Sequence, residues 1–280
     1  MRRSARLSEL RKHKRGDDPR APAPPEAPCA ETVRKPAEMT LPREREELWR
    51  EKGYRVVIGV DEAGRGPLAG PVVAAAYHIP PGSRAVPGVR DSKKIGEAER
   101  EELFSALTRA EGARWAVAKV EADGITEDNN ILQAAMQAME GCVKECAIKA
   151  GCDGDGRGAA HNGKAFALVD GNRLPKGLGM EGESLVKGDG REYLIAAASI
   201  IAKVTRDKIM VEAHGQWPQY GFDQHKGYGT SKHMEAIREH GACEIHRMTF
   251  RPLCDSKNAT AGGGSGGGDV KPAKRRRMRA

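Results

Sequence analysis

Two adjacent carboxylates, Asp61 and Glu62, directly follow an apolar run at residues 54–60. The run predicts a buried strand and the glycines after it predict a turn, so the acids should lie at the carboxyl edge of a sheet, where open α/β folds bind their ligands. Two carboxylates on one rigid turn suit a hard divalent cation such as Mg²⁺ or Mn²⁺. The same residues also fit a solvated acidic turn, and this motif alone does not decide between the two interpretations.

Asp170 repeats this pattern at the end of a second apolar run, residues 165–169, and just before Gly171. If the two runs form neighbouring strands, Asp170 faces Asp61 and Glu62 at one edge of the sheet. Three acids without a fixed basic partner repel one another unless a metal ion neutralises them. The three residues together therefore predict a metal site.

A fourth acid, Asp189, lies in a glycine turn before a long helical pattern at residues 192–213. It is a candidate metal ligand, although an acid near a helix N-terminus is also favoured for ordinary capping and electrostatic reasons. On the same helix, Ser199, Lys203 and Arg206 are spaced so that they share one face. That face fits either contact with a phosphate backbone or a solvated surface.

Two loops and a lysine carry side chains suited to a nucleic acid. Arg65 lies between Gly64 and Gly66, and glycines let the backbone come close to a ligand because no Cβ intrudes. Tyr228, also between two glycines, presents a ring and a hydroxyl that can reach a sugar or a base. Lys93, in the sequence DSKK, can bind a phosphate or simply flank a helix start. Each of these motifs alone is also typical of a surface loop.

The elements that must position these residues alternate along the chain, with hairpin-like strands first. Strands are predicted at residues 54–60, 71–79, 113–120 and 165–169, and helices at residues 97–110, 130–150, 192–213 and 231–239. A polar, glycine-rich stretch at residues 151–163 predicts a surface loop. This order of elements predicts an α/β domain with a mixed sheet.

The formal net charge of +8 is concentrated at the two ends of the chain. Residues 1–50 carry 13 Lys/Arg and 9 Asp/Glu, residues 255–280 carry 7 and 2, and residues 51–254 carry 27 and 28. Composition predicts disordered extensions at residues 1–45 and 255–280 around a folded domain at residues 46–254. Total charge therefore predicts no basic catalytic surface, which has to come from clustering of basic residues.

The chain ends leave the compartment open. The Arg-rich start fits an organelle transit peptide, against which Asp17 and Asp18 argue. The basic tail at residues 271–279 fits a nuclear import signal, a phosphate-binding tail or a solvated segment. We therefore expect a cytoplasmic protein if the source is bacterial and a nuclear or organellar one if it is eukaryotic. No apolar run approaches the ~20 residues that cross a bilayer, so no membrane partner is expected.

The six cysteines follow no paired C-x-x-C scheme, and the chain is long enough to fold without disulfides. Cys142 and Cys146 share a helical face, and together with Cys152 and His161 they leave a zinc site as a minor alternative. Buried thiols in a reducing compartment are the simpler interpretation.

Eight motifs together resemble one known family. In chain order they are VDEAGRGPLAGP, DSKK, NNILQAAM, VDGNRLP, KGD, AASIIAKVTRD, YGFDQHKGYGT and EHGACEIHRMTFRP, spread over residues 54–253. They closely resemble the bacterial type of ribonuclease HII. The resemblance implies a ribonuclease-H-like α/β fold, in which a mixed sheet is flanked by helices and followed by a helical C-terminal part. It also implies an endonuclease that hydrolyses the RNA strand of RNA–DNA hybrids and incises DNA duplexes at embedded ribonucleotides.

The resemblance implies a role for each candidate residue. Two Mn²⁺ or Mg²⁺ ions would be held by Asp61, Glu62, Asp170 and Asp189. The RNA–DNA junction would be read around the ribose 2′-hydroxyl by Gly64, Arg65 and Gly66, and from the other side by Tyr228. Positions near the duplex backbone would be Lys93, Ser199 and Lys203. A two-metal mechanism of this kind would leave 5′-phosphate and 3′-hydroxyl ends.

Two rival functions are compatible with the same fold. A non-catalytic hybrid-binding module would not need clustered carboxylates that repel phosphates, so the four acids disfavour it. A DNA nuclease or integrase would not need a contact to a 2′-hydroxyl. The Gly64–Gly66 segment, part of the glycine loop at residues 64–70, and Tyr228 therefore disfavour that alternative. The sequence shows no clear homo-oligomer interface, and we expect a monomer.

Overall fold

The computed structural model describes residues 40–152 and 164–255 of the chain. Several sequence-based predictions lie outside these described residues: the disorder of most of both chain ends, the two targeting segments, and most of the 151–163 loop together with His161. The predicted domain boundaries at residues 46 and 254 stay predictions. The first described helix begins at Glu44, two positions before the predicted start of the domain.

Five strands form the central sheet: β1 (Tyr54–Ala63), β2 (Val72–His78), β3 (Arg114–Val120), β4 (Lys164–Asp170) and β5 (Glu181–Leu185). Their order across the sheet is β3-β2-β1-β4-β5. The first three strands are antiparallel neighbours, whereas β4 runs parallel to both β1 and β5. The predicted mixed sheet of an α/β domain is thereby confirmed.

The helices are α1 (Glu44–Glu51), α2 (Glu97–Arg109), α3 (Ile131–Lys149), α4 (Tyr193–Gln216), α5 (Phe222–His225) and α6 (Ser231–His240). α3 begins at a capping box, in which the Asn130 side chain accepts from the backbone of Gln133 and the Gln133 side chain accepts from the backbone of Asn130. α5 and α6 make up the predicted helical C-terminal part.

The sheet is buried on both faces, because successive strand residues point to opposite sides. Val57 of β1 packs in a cluster with α1, α2 and α4, whereas Val56 and Ile58 pack in a second cluster with α3. Strands buried in this way read as continuous apolar runs. Gly59 lets α4 approach β1 so closely that an added Cβ would lie 2.1 Å from the carbonyl carbon of Leu194. Any side chain at residue 59 would therefore push α4 away from the sheet.

The structure corrects the predicted end of the first strand. β1 continues through Asp61 and Glu62 to Ala63, so both acids belong to the strand and not to the turn after it. The cause is antiparallel pairing with β2, whose residues Ala75 and Ala74 lie opposite the two acids. Backbone hydrogen bonds between strands do not require apolar side chains, so β1 extends beyond the apolar run that predicted it.

The environment of two cysteines disfavours the zinc alternative. Cys142 and Cys146 are buried in the apolar cluster between α3 and the sheet. Burial raises the pKa of the Cys146 thiol to about 12 and that of Cys142 well above its ordinary value. Zinc binds thiolates, which this apolar environment penalises. Among the described residues, neither cysteine belongs to a cluster of potential metal ligands, and no helix is both long and apolar enough to cross a bilayer.

Glu192, just before α4, is a buried carboxyl group in contact with the N-terminus of α1. It is 1% exposed, and its Oε2 accepts a hydrogen bond from the backbone N–H of Arg45 at 3.1 Å. Its Oε1 has no hydrogen-bond partner in the described part of the chain. Burial raises the pKa of Glu192 to about 7.

We expect Glu192→Gln to stabilise the protein at pH 8 but not at pH 5. The folded state holds this proton more tightly than the unfolded state, so the free energy of unfolding falls as pH rises from the ordinary glutamate pKa toward 7. The neutral amide escapes this loss, which is on the order of 3 kcal/mol at pH 8. Thermal unfolding of both proteins at both pH values measures the effect. An equal gain at pH 5 and pH 8 would contradict the assigned protonation.

Candidate active site

Strand β1 directs Asp61 and Glu62 to opposite faces of the sheet. Asp61 lies on the α4 face, is 4% exposed, and is hydrogen-bonded to the hydroxyl of Ser199. Its Oδ1 also accepts a hydrogen bond from the Glu62 N–H at 2.7 Å. Glu62 lies on the α3 face and is partly exposed. Asp61 is therefore fixed by the rigid core, while Glu62 borders the solvent.

Strand β4 brings Asp170 next to Asp61. β1 and β4 are parallel, with Val60 opposite Val169, so the two aspartates are the following residues on neighbouring strands. Asp170 Oδ1 accepts a hydrogen bond from the Gly188 N–H at 2.6 Å. The prediction that the two apolar runs are neighbouring strands is confirmed.

Asp189 lies in a single 3₁₀ turn, Gly188–Gly190, between β5 and α4. It is buried, and it is not the helix cap, because Glu192 occupies the N-cap position of α4. The turn packs tightly: a Cβ on Gly188 would lie 2.5 Å from Ile195 Cδ1 and 3.3 Å from Asp170 Oδ1. The missing side chain at residue 188 thus brings the turn that carries Asp189 against Asp170.

The four acids share one electrostatic environment. Burial, followed by the charges of Glu62 and Asp170, raises the pKa of Asp61 well above its ordinary value. Burial, followed by the charge of Asp189, raises the pKa of Asp170. A bound cation would remove both penalties, since it stabilises the ionised form of each carboxylate.

Two basic side chains contact this cluster, which corrects the expectation that the acids lack basic partners. Arg65 lies 3.1 Å from Glu62, and Lys93 lies 3.5 Å from Asp189. These partners are 50% and 81% exposed, and ion pairs with such exposed side chains are weak. In this arrangement, no three His, Cys, Asp or Glu side chains of residues 40–152 and 164–255 meet at metal-binding distance. A cation bound among these acids would therefore require some of the side chains to move.

A cleft of about 500 Å³ opens beside Glu62, which lines it, whereas Asp61, Asp170 and Asp189 do not. Every residue predicted to bind the substrate lines it: Gly64, Arg65, Gly66, Lys93, Ser199, Lys203 and Tyr228. The cleft also includes Ser92 and Ile131, which the motifs did not single out. The structure therefore brings the predicted residues from four separate segments of the chain to one place, and their individual roles stay predictions.

Ser199 and Lys203 are held by neighbours within the cleft wall. The Ser199 hydroxyl lies 2.8 Å from that of Ser92, and both serines are buried. Lys203 Nζ donates to Asp207 Oδ1 at 2.7 Å. Ser199 thus links the DSKK segment to Asp61, a contact that no local sequence signal indicates.

Arg206 borders the cleft, but it is only 1% exposed and is therefore not part of a phosphate-binding face. Its guanidinium donates to three backbone carbonyls, those of Ala69, Pro71 and Lys226. The helical spacing with Ser199 and Lys203 is real, but the side chain turns inward to fix two loops. Burial accordingly lowers its pKa.

Arg247, near the C-terminal end of the described chain, also holds a loop by donating to backbone carbonyls. The sequence-based predictions did not include it. It is fully buried and donates four hydrogen bonds to backbone carbonyls of residues 64–70: those of Gly64, Arg65, Pro67 and Gly70. A buried arginine has no pattern of its own in a sequence, and its only signal is its place in the C-terminal HRMTF motif. Together, two buried guanidinium groups organise the glycine loop.

Comparison with known proteins identifies a family that the chain matches over most of its length. The family model of ribonuclease HII matches residues 58–253. The chain is 46% identical over 204 residues to a ribonuclease HII of Endomicrobium trichonymphae, covering 73% of this chain and 89% of that protein. It is 47% identical over 198 residues to a ribonuclease HII of Xylella fastidiosa strain M12, covering 71% and 78%.

Two solved structures show the same fold. A chain in the structure of the PCNA:RNase HII complex from Archaeoglobus fulgidus has a TM-score of 0.53 at 24% identity, covering 70% of this chain and 95% of that one. The ribonuclease H2 from Pyrococcus horikoshii OT3 has a TM-score of 0.53 at 22% identity, covering 74% and 100%.

The fold is therefore ribonuclease-H-like, as the motifs implied. The chain belongs to the ribonuclease HII family. It is accordingly a ribonuclease H, an endonuclease that acts on RNA–DNA hybrids, and the resemblance on which that expectation rested is confirmed.

Proposed function

We propose that this ribonuclease H incises DNA duplexes at embedded ribonucleotides as well as cutting RNA–DNA hybrids, with two divalent cations held by Asp61, Glu62, Asp170 and Asp189. The observation that carries the proposal is the convergence of these four acids with a cleft lined by all seven predicted substrate residues. Cleavage is expected to leave 5′-phosphate and 3′-hydroxyl ends.

The chemistry of the donor set supports Mg²⁺ or Mn²⁺. All four candidate ligands are carboxylates, which hard divalent cations prefer. The raised pKa values of Asp61 and Asp170 indicate a site that a cation stabilises. Two such cations, when bound, would activate a water molecule and stabilise the departing oxygen. The Ser199 hydroxyl and the Gly188 N–H hold Asp61 and Asp170 in position for this binding.

Recognition of a single ribonucleotide follows from the glycine loop and Tyr228. These two features adjoin: a Cβ on Gly66 would lie 3.6 Å from Tyr228 Cε1. Tyr228 is 46% exposed, so its ring and hydroxyl are available to a ligand in the cleft. The 2′-hydroxyl is the group that distinguishes RNA from DNA on the sugar. We propose that the backbone at Gly64–Gly66 contacts it while Tyr228 packs on the adjacent deoxyribose.

The basic side chains of the cleft are proposed to bind the duplex backbone. Lys93 and Lys203 line the cleft beside the acids, as does Arg65. Arg65 and Lys93 pair with Glu62 and Asp189, so cations that bind these two acids would release both basic groups to bind phosphates. Lys203 pairs with Asp207 instead. This coupling argues against a non-catalytic binding module, for which the acids would only repel the substrate.

One assay tests the proposal. The protein is incubated with Mg²⁺ or Mn²⁺ and a labelled DNA duplex that contains one ribonucleotide, beside an all-DNA duplex and an RNA–DNA hybrid. We expect a nick at the ribonucleotide, ligatable 5′-phosphate ends, and no cleavage of the all-DNA control. Calorimetric titration of Mn²⁺ into the protein provides a readout independent of activity. Cleavage of the hybrid without any nick at the single ribonucleotide would refute the finer specificity.

A further inference from the structure

Two buried histidines, His233 and His246, connect the C-terminal segment to the backbone of Tyr228. Their Nε2 atoms lie 3.1 Å apart. At one end, His246 Nδ1 accepts from the backbone N–H of Cys243 at 2.9 Å. At the other end, His233 Nδ1 lies 2.9 Å from the carbonyl oxygen of Tyr228. The four groups form one continuous row of hydrogen bonds.

The direction of each hydrogen bond in this row follows from its ends. The Cys243 N–H can only donate, so His246 Nδ1 carries no proton and the neutral ring carries its proton on Nε2. That proton points at His233 Nε2, which must accept. His233 then carries its proton on Nδ1, where the Tyr228 carbonyl can only accept. Both rings are therefore neutral, and every donor meets an acceptor.

The surroundings favour these neutral rings. Burial and the neighbouring histidine lower the pKa of His246 to about 4, and burial lowers the pKa of His233. The ring of His225 stacks on His233 at 4.5 Å, the ring of Tyr220 packs on His246 at 4.9 Å, and the Cys243 thiol lies 3.1 Å from His246 Nδ1. A charged His233 would set two N–H donors against each other at the His233–His246 contact, and a charged His246 would do so against the Cys243 N–H.

We infer that His233 and His246 are positioning residues that fix the Tyr228 backbone, and with it the aromatic ring, against the glycine loop. The inference rests on the substrate role proposed for Tyr228. The same peptide segment is joined to the glycine loop directly, because Leu68 N–H donates to the Gly227 carbonyl at 2.9 Å. The hydrogen bonds from Cys243 through His246 and His233 to Tyr228 therefore help to fix the distance between Tyr228 and the glycine loop, the two features proposed to read the ribonucleotide.

A pair of variants separates positioning from simple core packing. In His233→Asn, the side-chain amide can replace Nδ1–H as the donor to the Tyr228 carbonyl, whereas His233→Leu fills the space without a donor. We expect His233→Leu to raise KM for the single-ribonucleotide duplex about tenfold with kcat within about twofold, and His233→Asn to keep KM within about threefold of wild type. Equal KM for the two variants, or an unchanged KM in His233→Leu, would overturn the inference.

Nitrogen NMR of the wild-type protein decides the matter independently of folding or activity of the variants. We expect a proton on Nδ1 of His233 and on Nε2 of His246, with both rings neutral at pH 7. A proton on Nδ1 of His246, or a charged ring, would break the row and overturn the inference. If the wild-type protein shows the expected NMR signals but does not cut at a ribonucleotide, the result counts against the proposed function and not against the positioning role. Positioning is then tested by the backbone amide signal of Tyr228. This signal should shift in His233→Leu but not in His233→Asn.

Discussion

Asp170→Asn should abolish cleavage while leaving the protein at least as stable as wild type in the absence of divalent cations. The amide oxygen can still accept the Gly188 N–H, so the contact at 2.6 Å survives. The charge that repels Asp61 and Asp189 disappears, and the raised pKa of Asp170 shows that burial and Asp189 disfavour this charge in the folded state. We expect activity to fall by about a thousandfold or more, because the proposed cations would lose one of their four carboxylate ligands.

The measurement combines thermal unfolding in a chelator with cleavage of the single-ribonucleotide duplex. Glu145→Gln, which neutralises an exposed acid on α3, is the matched control and should change neither quantity. Added Mn²⁺ should raise the unfolding temperature of wild type more than that of Asp170→Asn, because only the former keeps all four carboxylates. Retained cleavage in Asp170→Asn would sink the assigned site, and a marked loss of stability would contradict the account of its electrostatics.

Unlike Asp170→Asn, Arg247→Met should greatly reduce the stability of the protein, and the activity should fall as a consequence. The arginine donates to the carbonyls of Gly64, Arg65, Pro67 and Gly70, and it is fully buried. Methionine fills much of the space without donors, so these carbonyls lose their partners away from water. We expect the free energy of unfolding to fall by about 3–5 kcal/mol.

Urea unfolding and steady-state kinetics on the same preparation test this expectation. Arg251→Met removes an arginine that is 86% exposed and should shift the free energy of unfolding by no more than about 0.5 kcal/mol. Below its unfolding transition, Arg247→Met should show a raised KM, because the glycine loop is no longer held. A variant as stable as wild type would mean that the loop holds its shape without the guanidinium.

The sequence predicts where the acids lie better than it predicts the strands and buried side chains that hold them in place. Apolar runs that stop just before Asp61 and Asp170 predict strands β1 and β4, so both the strands and the meeting of the two acids follow from the pattern. β5 reads EGESL, and its two glutamates and glycine carry no strand signal, because this edge strand is held by pairing with β4 and not by its own side chains. Pairing with β2 likewise extends β1 beyond its apolar run.

Buried polar supports are the part that the sequence could not reveal. Arg206 has a surface-like helical spacing, yet its burial is decided by carbonyls of the loops around Ala69 and Lys226. His233 and His246 are polar residues in a polar motif, and only the fold shows that their rings meet. Such residues are defined by distant backbone atoms, which no local pattern encodes.

The contact between Arg247 and the Gly64 carbonyl spans 183 positions of the chain, and this has a consequence for the order of folding. During synthesis, the sheet and all four acids emerge once residue 189 has left the ribosome, while the side chain that fixes the glycine loop follows much later. Contacts of such long sequence separation form late, since their loop-closure entropy is large. A nascent chain therefore contains all four acids before Arg247 can fix the loop at residues 64–70, and the order of that loop is acquired late in synthesis.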